Sequence, residues 1–239
     1  MDLSVVIPCF NEQEAIVPLT HRLDELLVNL GNGFKVELIF VDDGSTDDTL
    51  VLLERTYMDR DNVQILRHPQ NQGLGAAIRT GMNQAVGRFV GTIDSDCTYD
   101  PLIIPDMLNR MEPDVDVLTA SPYAPGGQVV NEMAYQIWIS QICSKMYRVI
   151  LKSDIHTFTS MFRIYRRSVL ETVKFRSDTF LCMAEILINA IQHKLNVQEY
   201  PTELSVRQHG YSKRKFVSLT FQHLKLMAGI IGQRYFSGQ

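Results

Sequence analysis

Several features that the sequence lacks narrow the class of protein. Its four cysteines form no CxxC pair and none lies at zinc spacing from a histidine, which argues against a disulfide framework or a structural zinc site. No apolar run approaches the ~20 residues of a membrane-spanning helix. There is no basic excess, since the net charge is −4, and we therefore expect no nucleic-acid partner. The first residues lack a signal-peptide pattern, so we expect a cytoplasmic protein, or one peripheral on the cytoplasmic face of a membrane.

The 239 residues are 45% hydrophobic and 21% charged, which is typical of a globular chain. Short Val- and Ile-rich segments alternate with helical periodicity, and this predicts an α/β fold with a mostly parallel sheet flanked by helices. The predicted strands are Leu3–Pro8, Val36–Val41, Val63–Arg67, Arg88–Ile93, Val115–Ala120 and Val197–Tyr200, with Thr157–Tyr165 extended. The predicted helices are Glu14–Leu30, a segment through Glu54, Leu74–Val86, one begun by Asp100-Pro101, Glu132–Leu151, Phe180–His193 and Lys215–Tyr235. We expect one domain over 1–212, with 213–239 as a basic and apolar helical appendage.

An acidic triplet, Asp94-Ser95-Asp96, follows the fourth predicted strand. In parallel sheets, ligands bind at the carboxyl ends of the strands. Alternate residues of an extended chain point the same way, so both carboxylates can face one site. A divalent cation with oxygen ligands would relieve their repulsion and leave positions for phosphate oxygens. The competing interpretation is an acidic turn followed by a helix cap.

A second acidic pair, Asp42-Asp43, follows the second predicted strand. One carboxylate can accept hydrogen bonds from the N–H edge of uracil or guanine, while the other holds the turn that Gly44 permits. Both aspartates equally suit the N-terminus of the next helix, where Ser45 and Asp48 form a capping-box signal. A receiver-domain acidic pocket is a further rival, but it needs its acidic pair after the first strand.

The loop after the first strand reads Pro8-Cys9-Phe10-Asn11-Glu12. Phe10 can stack on a base and Glu12 can accept hydrogen bonds from ribose hydroxyls, although a simple strand-ending loop also accounts for the pattern. The glycines of Gly73-Leu74-Gly75 resemble half of a dinucleotide fingerprint, but that motif belongs after the first strand. We interpret them as a tight turn into a closely packed helix.

Basic and acidic residues in the second half complete the candidates. The segment Arg207–Lys215 can fold over a diphosphate and neutralise it, or bind anionic lipid headgroups. Glu185 lies in an apolar helix and is either a paired structural acid or a catalytic base. Three arginines lie near a predicted strand end and can either bind phosphate or be charges on the surface: Arg163, Arg166 and Arg167.

Taken together, these motifs resemble family-2 glycosyltransferases of the GT-A fold, and most of all the polyprenyl-phosphate (dolichol-phosphate) mannosyl- and glucosyltransferase branch. The resemblance covers nearly the whole chain. The segments that carry it are SVVIPCFNE, IFVDDGSTDDT, NQGLGAAIRTGMNQAVG, TIDSD, SPYAPGG, FTSMFRIYRRSVL and RQHGYSKRKF, with Glu185 upstream of the last. Each segment is weakly specific alone, whereas their order and spacing together are specific.

The resemblance implies a nucleotide-sugar donor with a GDP or UDP leaving group, a Mg²⁺ or Mn²⁺ cofactor, inversion at the anomeric carbon and a polyprenyl phosphate acceptor at the membrane surface. It implies that Asp94 and Asp96 bind the metal and that these, with Ser95, hold the diphosphate. It assigns the nucleoside to Pro8, Phe10, Glu12, Val41 and Asp43. It places Arg207 and Lys213 over the diphosphate as the basic pair of an RxxGxSK segment.

The sequence departs from the branch at three points. Thr98 replaces the glutamine of the usual DxDLQ, and Pro122 replaces the arginine of an SRY triplet. Gln136 and Gln141 stand where arginines are expected in the next helix. An acceptor phosphate would therefore meet less positive charge than in typical members.

These departures leave alternatives open. The acceptor can be a hydroxyl of a lipid or glycan, with Glu185 as base, because a hydroxyl needs one and a phosphate does not. The chain can also be a non-catalytic nucleotide-sugar-binding subunit. A sugar-nucleotide pyrophosphorylase would need a glycine-rich basic loop after the first strand, which PCFNE is not. The last helix can lie in a membrane interface, pack on the core or bind a membrane-anchored partner subunit.

Overall fold

The computed structural model describes residues 1–130, 134–205 and 216–236. The first half alternates strands and helices as predicted, in the order β1 Leu3–Cys9, α1 Gln13–Leu30, β2 Val36–Asp42, α2 Thr49–Tyr57, β3 Val63–Arg67, α3 Leu74–Gln84 and β4 Phe89–Thr92. A 3₁₀ turn, Pro101–Ile103, then leads into α4 Ile104–Asn109 and β5 Val117–Ser121. The remainder consists of β6 Gln128–Val129, α5 Ala134–Leu151, β7 Arg163–Arg166, α6 Val169–Thr172, α7 Cys182–Gln192, β8 Val197–Pro201, β9 Glu203–Leu204 and α8 Phe216–Phe236.

The main sheet has the strand order β3-β2-β1-β4-β7-β5-β8, and β6 pairs with β9 in a separate ribbon. Only β7 runs antiparallel to its neighbours β4 and β5 in this sheet. The α/β prediction of a mostly parallel sheet flanked by helices is therefore confirmed. Since β5 runs in the same direction as β1, β2, β3 and β4, the carboxyl ends of all five strands meet at one edge.

Alternate residues of β1 face two separate apolar layers, as the pleat of a strand requires. Leu3, Val5 and Ile7 pack in the layer formed with α1, α2 and α4. Val6 packs in the opposite layer, formed with α3, α5 and α7. A parallel sheet covered on both faces explains why its strands read as continuous apolar runs.

The C-terminal helix α8 also belongs to this second layer. Met227 and Ile230 are buried there, and the ring of His223 is hydrogen-bonded through Nδ1 to the Tyr147 hydroxyl at 2.9 Å. One face of α8 thus packs on α5, which is the core-packing alternative among those that the sequence left open. The division of the chain into 1–212 and 213–239 stays a prediction.

One local prediction is wrong, and a second is met only in part. The Ser45/Asp48 capping box does not form: α2 begins at Thr49, and the Thr49 N–H is capped by Oδ1 of Asp47 at 3.0 Å. The predicted extended segment Thr157–Tyr165 is a strand only in its last part, because β7 begins at Arg163. By contrast, Asp100 does cap the turn that begins at Pro101, through the N–H of Leu102 at 3.0 Å.

Candidate active site

The loops that follow β1 and β2 are joined by side-chain to backbone hydrogen bonds. The N–H of Asn11 donates to the Ser45 hydroxyl at 2.9 Å, and Oδ1 of Asn11 accepts the N–H of Thr46 at 2.7 Å. The N–H of Glu12 donates to the Thr49 hydroxyl at 2.7 Å. Asn11 has a left-handed backbone with φ of 53°, a conformation that asparagine tolerates better than most residues. These bonds hold the two loops as one rigid rim at the carboxyl edge.

The residues assigned to the nucleoside come together at this rim. Pro8 and Val41 are buried and face each other in the β1–β2 register. Phe10 and Glu12 are half-buried in the adjoining loop. The fold thus brings together the residue types that can stack on a base and accept from a ribose, while their contacts with a nucleoside stay a prediction.

Three polar partners hold the carboxylate of Asp43. Its carboxylate is buried and accepts the N–H of Gln72 at 2.9 Å and the N–H of Gly73 at 2.8 Å. Nδ1 of His68 contacts the same carboxylate at 2.7 Å, and Nε2 of His68 contacts the Thr80 hydroxyl at 2.9 Å. Asp43 therefore fixes the loop before α3, and this positioning role adds to the nucleoside role predicted for it.

The neighbouring Asp42 holds the turn, as one of the pair was expected to do. Its Oδ1 accepts the N–H of Ser45 at 3.3 Å across Gly44. Gly44 has φ of 70°, and a Cβ there would overlap the backbone of Gln70, so glycine is required. Oδ2 of Asp42 is buried and has no hydrogen-bond partner among the residues that the structure describes.

Sequence reasoning missed His68. It directly follows β3, and none of the sequence motifs described above includes it. A histidine at that strand end is the available signal. Its link to Asp43 could not be inferred, because the two residues are 25 positions apart and meet only through the strand register.

The Asp94-Ser95-Asp96 triplet lies just beyond β4 at the same edge. The N–H of Ile93 donates to the Val6 carbonyl at 3.1 Å, so the triplet begins where the pairing of β4 with β1 ends. Asp94 and Asp96 are half-buried and Ser95 is buried. Asp96 also accepts the N–H of Thr98 through Oδ1 at 3.1 Å, which tightens the turn.

The chemistry of this donor set fits Mg²⁺ or Mn²⁺. Two carboxylates supply the oxygen ligands that these ions prefer and leave coordination positions for phosphate oxygens. Among the described residues no cluster of three or more His, Cys, Asp or Glu side chains is arranged for a metal. Cys97 follows with φ of 54° and a side chain packed against the core; burial, then the charges of Asp96 and Asp100, raise its pKa to about 12.

The chain that leads to the predicted basic segment starts beside the acidic triplet. The N–H of Ser205, just past β9, donates to the Thr98 carbonyl at 3.0 Å. Arg207 and Lys213 follow it in the sequence but lie outside the described residues. Their predicted position over a diphosphate stays a prediction, and the anchoring of Ser205 supports it.

Glu185 is placed in the first turn of α7 and holds a loop. Its Oε2 accepts the N–H groups of Arg176 and Ser177, both at 2.8 Å. The next residue of that loop, Asp178, accepts the N–H of Gly75 through its carbonyl at 2.8 Å. A positioning role for Glu185 thus accompanies its predicted role as base. The loop also comes so close to α3 that a Cβ at position 75 would overlap the Ser177 carbonyl oxygen. This close packing against the loop explains why residue 75 is a glycine.

The three arginines near β7 bind the protein's own carbonyl groups. Arg163 is fully buried and donates to the carbonyls of Met183 at 2.6 Å and Phe158 at 2.9 Å. Arg166 donates to the Val115 carbonyl at 2.7 Å, and Arg167 donates to the Val86 carbonyl at 3.1 Å. For the fully buried Arg163 the interpretation as a phosphate ligand or a surface charge is therefore wrong. Arg166 is half-buried, and Arg167 is exposed, in agreement with the surface-charge alternative.

The loop after β5 lies on the opposite side of the triplet from the nucleoside loops. Pro122, which replaces the expected arginine, is buried, and Gln136 lies in the first turn of α5. The hydroxyls of Ser121 and Thr157 are 2.6 Å apart, and Oε1 of Glu199 accepts the N–H of Thr157 at 2.8 Å. Nδ1 of His156 contacts Oε2 of Glu199 at 2.8 Å, so this side of the edge is held by two hydroxyls and a histidine–carboxylate pair.

Comparison with known proteins identifies the family. The model of the family described as "Glycosyl transferase family 2" matches residues 4–174. The dolichol-phosphate mannosyltransferase of Pyrococcus furiosus is 30% identical over 94% of this chain, and the chain spans 62% of that relative's length. The dodecaprenyl-phosphate galacturonate synthase of Rhizobium johnstonii is 29% identical over 98% of this chain, and the chain spans 68% of that relative's length.

Solved structures support the fold. The glucosyl-3-phosphoglycerate synthase of Mycobacterium tuberculosis, crystallised with Mn²⁺, UDP and phosphoglyceric acid, superposes with a TM-score of 0.73 at 19% identity. The match covers 97% of this chain and 78% of that one, and the predicted GT-A-like fold is confirmed. The family model covers most of the chain and the curated relatives agree with it, so this chain belongs to glycosyl transferase family 2.

Proposed function

We propose that this protein transfers a sugar from a GDP- or UDP-sugar to a polyprenyl phosphate at a membrane surface, with inversion and with a divalent metal. The observation that carries the proposal is the position of Asp94 and Asp96, beside the joined loops after β1 and β2 and beside Ser205. A nucleotide sugar laid along this edge would place its nucleoside at the loops and its diphosphate at the acidic pair. The relatives named above act on dolichol phosphate and dodecaprenyl phosphate, which favours this acceptor class.

The reaction exchanges one bond at the anomeric carbon for another. A phosphate oxygen of the acceptor attacks that carbon, and the electrons of the breaking carbon–oxygen bond pass to the departing nucleoside diphosphate. Asp94 and Asp96 would hold the metal, and Ser95 between them would lie next to the diphosphate. When bound, a divalent ion supplies positive charge beside the leaving group. Arg207 and Lys213 would add two further charges as negative charge develops there.

The partners of Glu185 favour a phosphate acceptor over a hydroxyl. A base must reach the proton that it removes, whereas Oε2 of Glu185 already accepts two backbone N–H groups. A phosphate is anionic near neutral pH and attacks without a base. The neutral loop around Ser121 and Pro122 would give that phosphate little electrostatic attraction. We therefore expect the bound metal ion to attract the negative charge of the acceptor.

Calorimetric binding of UDP and GDP, each with and without Mn²⁺, tests the donor site. We expect metal-dependent binding of one nucleotide, and its loss in Asp96→Ala. The matched control is Asp114→Ala, which removes one exposed carboxylate just before the amino end of β5, at the opposite edge of the sheet. If Asp114→Ala lost metal-dependent nucleotide binding as Asp96→Ala does, the assignment of Asp96 to the metal site would be overturned.

Turnover then separates the enzyme from a non-catalytic nucleotide-sugar binder. Incubation with the donor of the base so identified and with undecaprenyl phosphate should release the nucleoside diphosphate only when the acceptor is present. Metal-dependent nucleotide binding without any release, across a panel of sugars, would favour the binding subunit. Release that depends on a glycan or lipid hydroxyl would favour the alternative acceptor.

A further inference from the structure

The carboxylate of Asp43 is held in one orientation by three donors. Its Oδ1 accepts the N–H of Gln72 at 2.9 Å and lies 2.7 Å from Nδ1 of His68, while its Oδ2 accepts the N–H of Gly73 at 2.8 Å. An ionised carboxylate only accepts hydrogen bonds, so the proton of the histidine contact is on Nδ1. Because two consecutive backbone N–H groups each bind a different oxygen, the plane of the carboxylate is fixed.

His68 is buried and is held at both of its ring nitrogens. Its Nε2 lies 2.9 Å from the Thr80 hydroxyl of α3, and its backbone N–H donates to the Asp42 carbonyl at 2.8 Å. His68 is 7% exposed and Asp43 is 3% exposed, so water has little access to either side chain. The ring therefore keeps its N–H on Oδ1 of Asp43, a contact that the transfer reaction itself does not require.

The acceptor positions of Asp43 are nearly all occupied. The two oxygens of a carboxylate offer about four lone-pair positions. His68 and Gln72 take both positions of Oδ1 and Gly73 takes one of Oδ2, and no other donor within the described residues reaches this side chain. All three donors lie at the end of β3 or in the loop before α3. On its other side Asp43 borders the loop after β1, because its N–H donates to the Cys9 carbonyl at 2.8 Å.

We propose that the donor nucleotide carries uracil rather than guanine, and that His68 sets this choice by saturating Oδ1 of Asp43. The uracil of a nucleotide has a single ring N–H, at N3, and the one remaining acceptor position on Oδ2 satisfies it. Guanine has two neighbouring donors, N1–H and N2–H, which a carboxylate pairs by using both of its oxygens. The inference rests on the proposed function and deepens it, since it names the base of the nucleotide sugar and the residue that selects it.

The penalty for the wrong base comes from a polar group without a partner. Guanine at this position would lose the water around N2–H and would find Oδ1 already occupied by His68 and Gln72. A donor that is left unpaired in a buried site weakens binding by about 10-fold or more. Cytosine fails for a different reason, because its N3 is an acceptor and would face the acceptor Oδ2. A site built around one donated hydrogen bond rejects the analogue that lacks the donor.

Calorimetric titration of the full chain with UDP, GDP and CDP in Mn²⁺ tests the choice of base. UDP should bind at least ~10-fold more tightly than GDP and CDP, since only uracil matches the one free acceptor position. All three nucleotides share the ribose and the diphosphate, so differences in affinity report on the base. The proposal is overturned if GDP binds as tightly as UDP or more tightly, or if CDP binds as tightly as UDP.

Two amide variants test the role of His68. In His68→Asn the side-chain N–H lies near the position of Nδ1 and still reaches Asp43, so the preference for UDP over GDP should persist. In His68→Gln the longer side chain places its N–H near the position of Nε2, which leaves Oδ1 with a free position, and the preference should fall by ~10-fold. The control His21→Gln changes an exposed histidine of α1 and should bind all three nucleotides like the wild type. Equal weakening of UDP and GDP in His68→Gln would show a purely structural role and overturn the assignment of His68.

The same titrations separate this inference from the proposed function. If neither UDP nor GDP binds with Mn²⁺, the proposed function fails, and the choice of base fails with it. If GDP binds better than UDP and the turnover assay releases GDP only with undecaprenyl phosphate, the proposed function stands and the uracil proposal alone is refuted. Asp96→Ala should lose UDP and GDP alike, whereas His68→Gln should change the ratio of their affinities.

Discussion

Replacement of the buried Arg163 should reveal how the site's far side is held. Arg163 is fully buried, and its Nη1 and Nη2 donate to the carbonyls of Met183 and Phe158. Its Nε donates to the Thr119 hydroxyl at 3.2 Å. One planar group thus joins β7 to β5, to the start of α7 and to the loop before β7.

The magnitude follows from two opposing terms. Arg163→Met removes three hydrogen bonds from a charged donor, each worth ~1.5–3 kcal/mol, and leaves three buried acceptors without that donor. It also removes a buried charge, whose desolvation costs several kcal/mol and offsets much of this loss. We expect a net destabilisation of about 3 kcal/mol. Arg163→Lys keeps the charge, but a single ammonium cannot reach three acceptors that a guanidinium fork spans.

Urea unfolding followed by far-ultraviolet circular dichroism measures these effects. Arg163→Lys should be destabilised at least as much as Arg163→Met. The matched control is Arg167→Met, which removes an exposed arginine with one hydrogen bond to the Val86 carbonyl and should cost under ~1 kcal/mol. Full stability in Arg163→Lys would refute the reasoning, because it would show that the charge matters and the fork geometry does not.

Three further predictions concern pH, packing and the base. Burial lowers the pKa of His223 to about 4, so at pH values below its ordinary pKa the folded state binds fewer protons than the unfolded state. The free energy of unfolding should therefore fall by about 2 kcal/mol from pH 7 to pH 5. In urea titrations, His223→Gln should abolish that difference. Gly75→Ala should destabilise by ~1–3 kcal/mol, because its Cβ would overlap the Ser177 carbonyl, while Gly33→Ala, which meets open space, should have little effect in the same titration. Glu185→Gln should retain most transferase activity if Glu185 only positions its loop, since an amide oxygen still accepts backbone N–H groups; a ~10²-fold or larger loss of kcat would instead identify it as the base.

Much of the fold was predictable because its signals are local. The strands of a doubly covered parallel sheet are continuous apolar runs, and their alternation with helical periodicity fixes the architecture. The same rule located Asp94 and Asp96, because a polar pair after such a run must lie at the carboxyl edge. Asp100-Pro101 also predicted its own turn, since a cap and its N–H target lie within two residues.

The contacts that the sequence did not predict share one physical cause. Asp43, His68 and Thr80 meet across three separate elements, and nothing in the sequence near any of them states that they pair. The same holds for Arg163, which the sequence presents as one of three similar arginines and the packing makes a buried crosslink. Strand register and packing decide which acceptor each buried hydrogen-bond donor reaches, and the local pattern of apolar residues carries no information about this.

The sequence by itself determined the order of strands and helices, the edge at which the chemistry lies and the residue types gathered there. Those follow from the period of apolar residues and from the loop positions that parallel strands impose. Only the tertiary structure decided which carboxylate holds a loop, which arginine is buried and which face of α8 packs on the core. These depend on contacts between residues far apart in the chain, and a buried polar group takes whichever partner the packing brings within hydrogen-bonding distance.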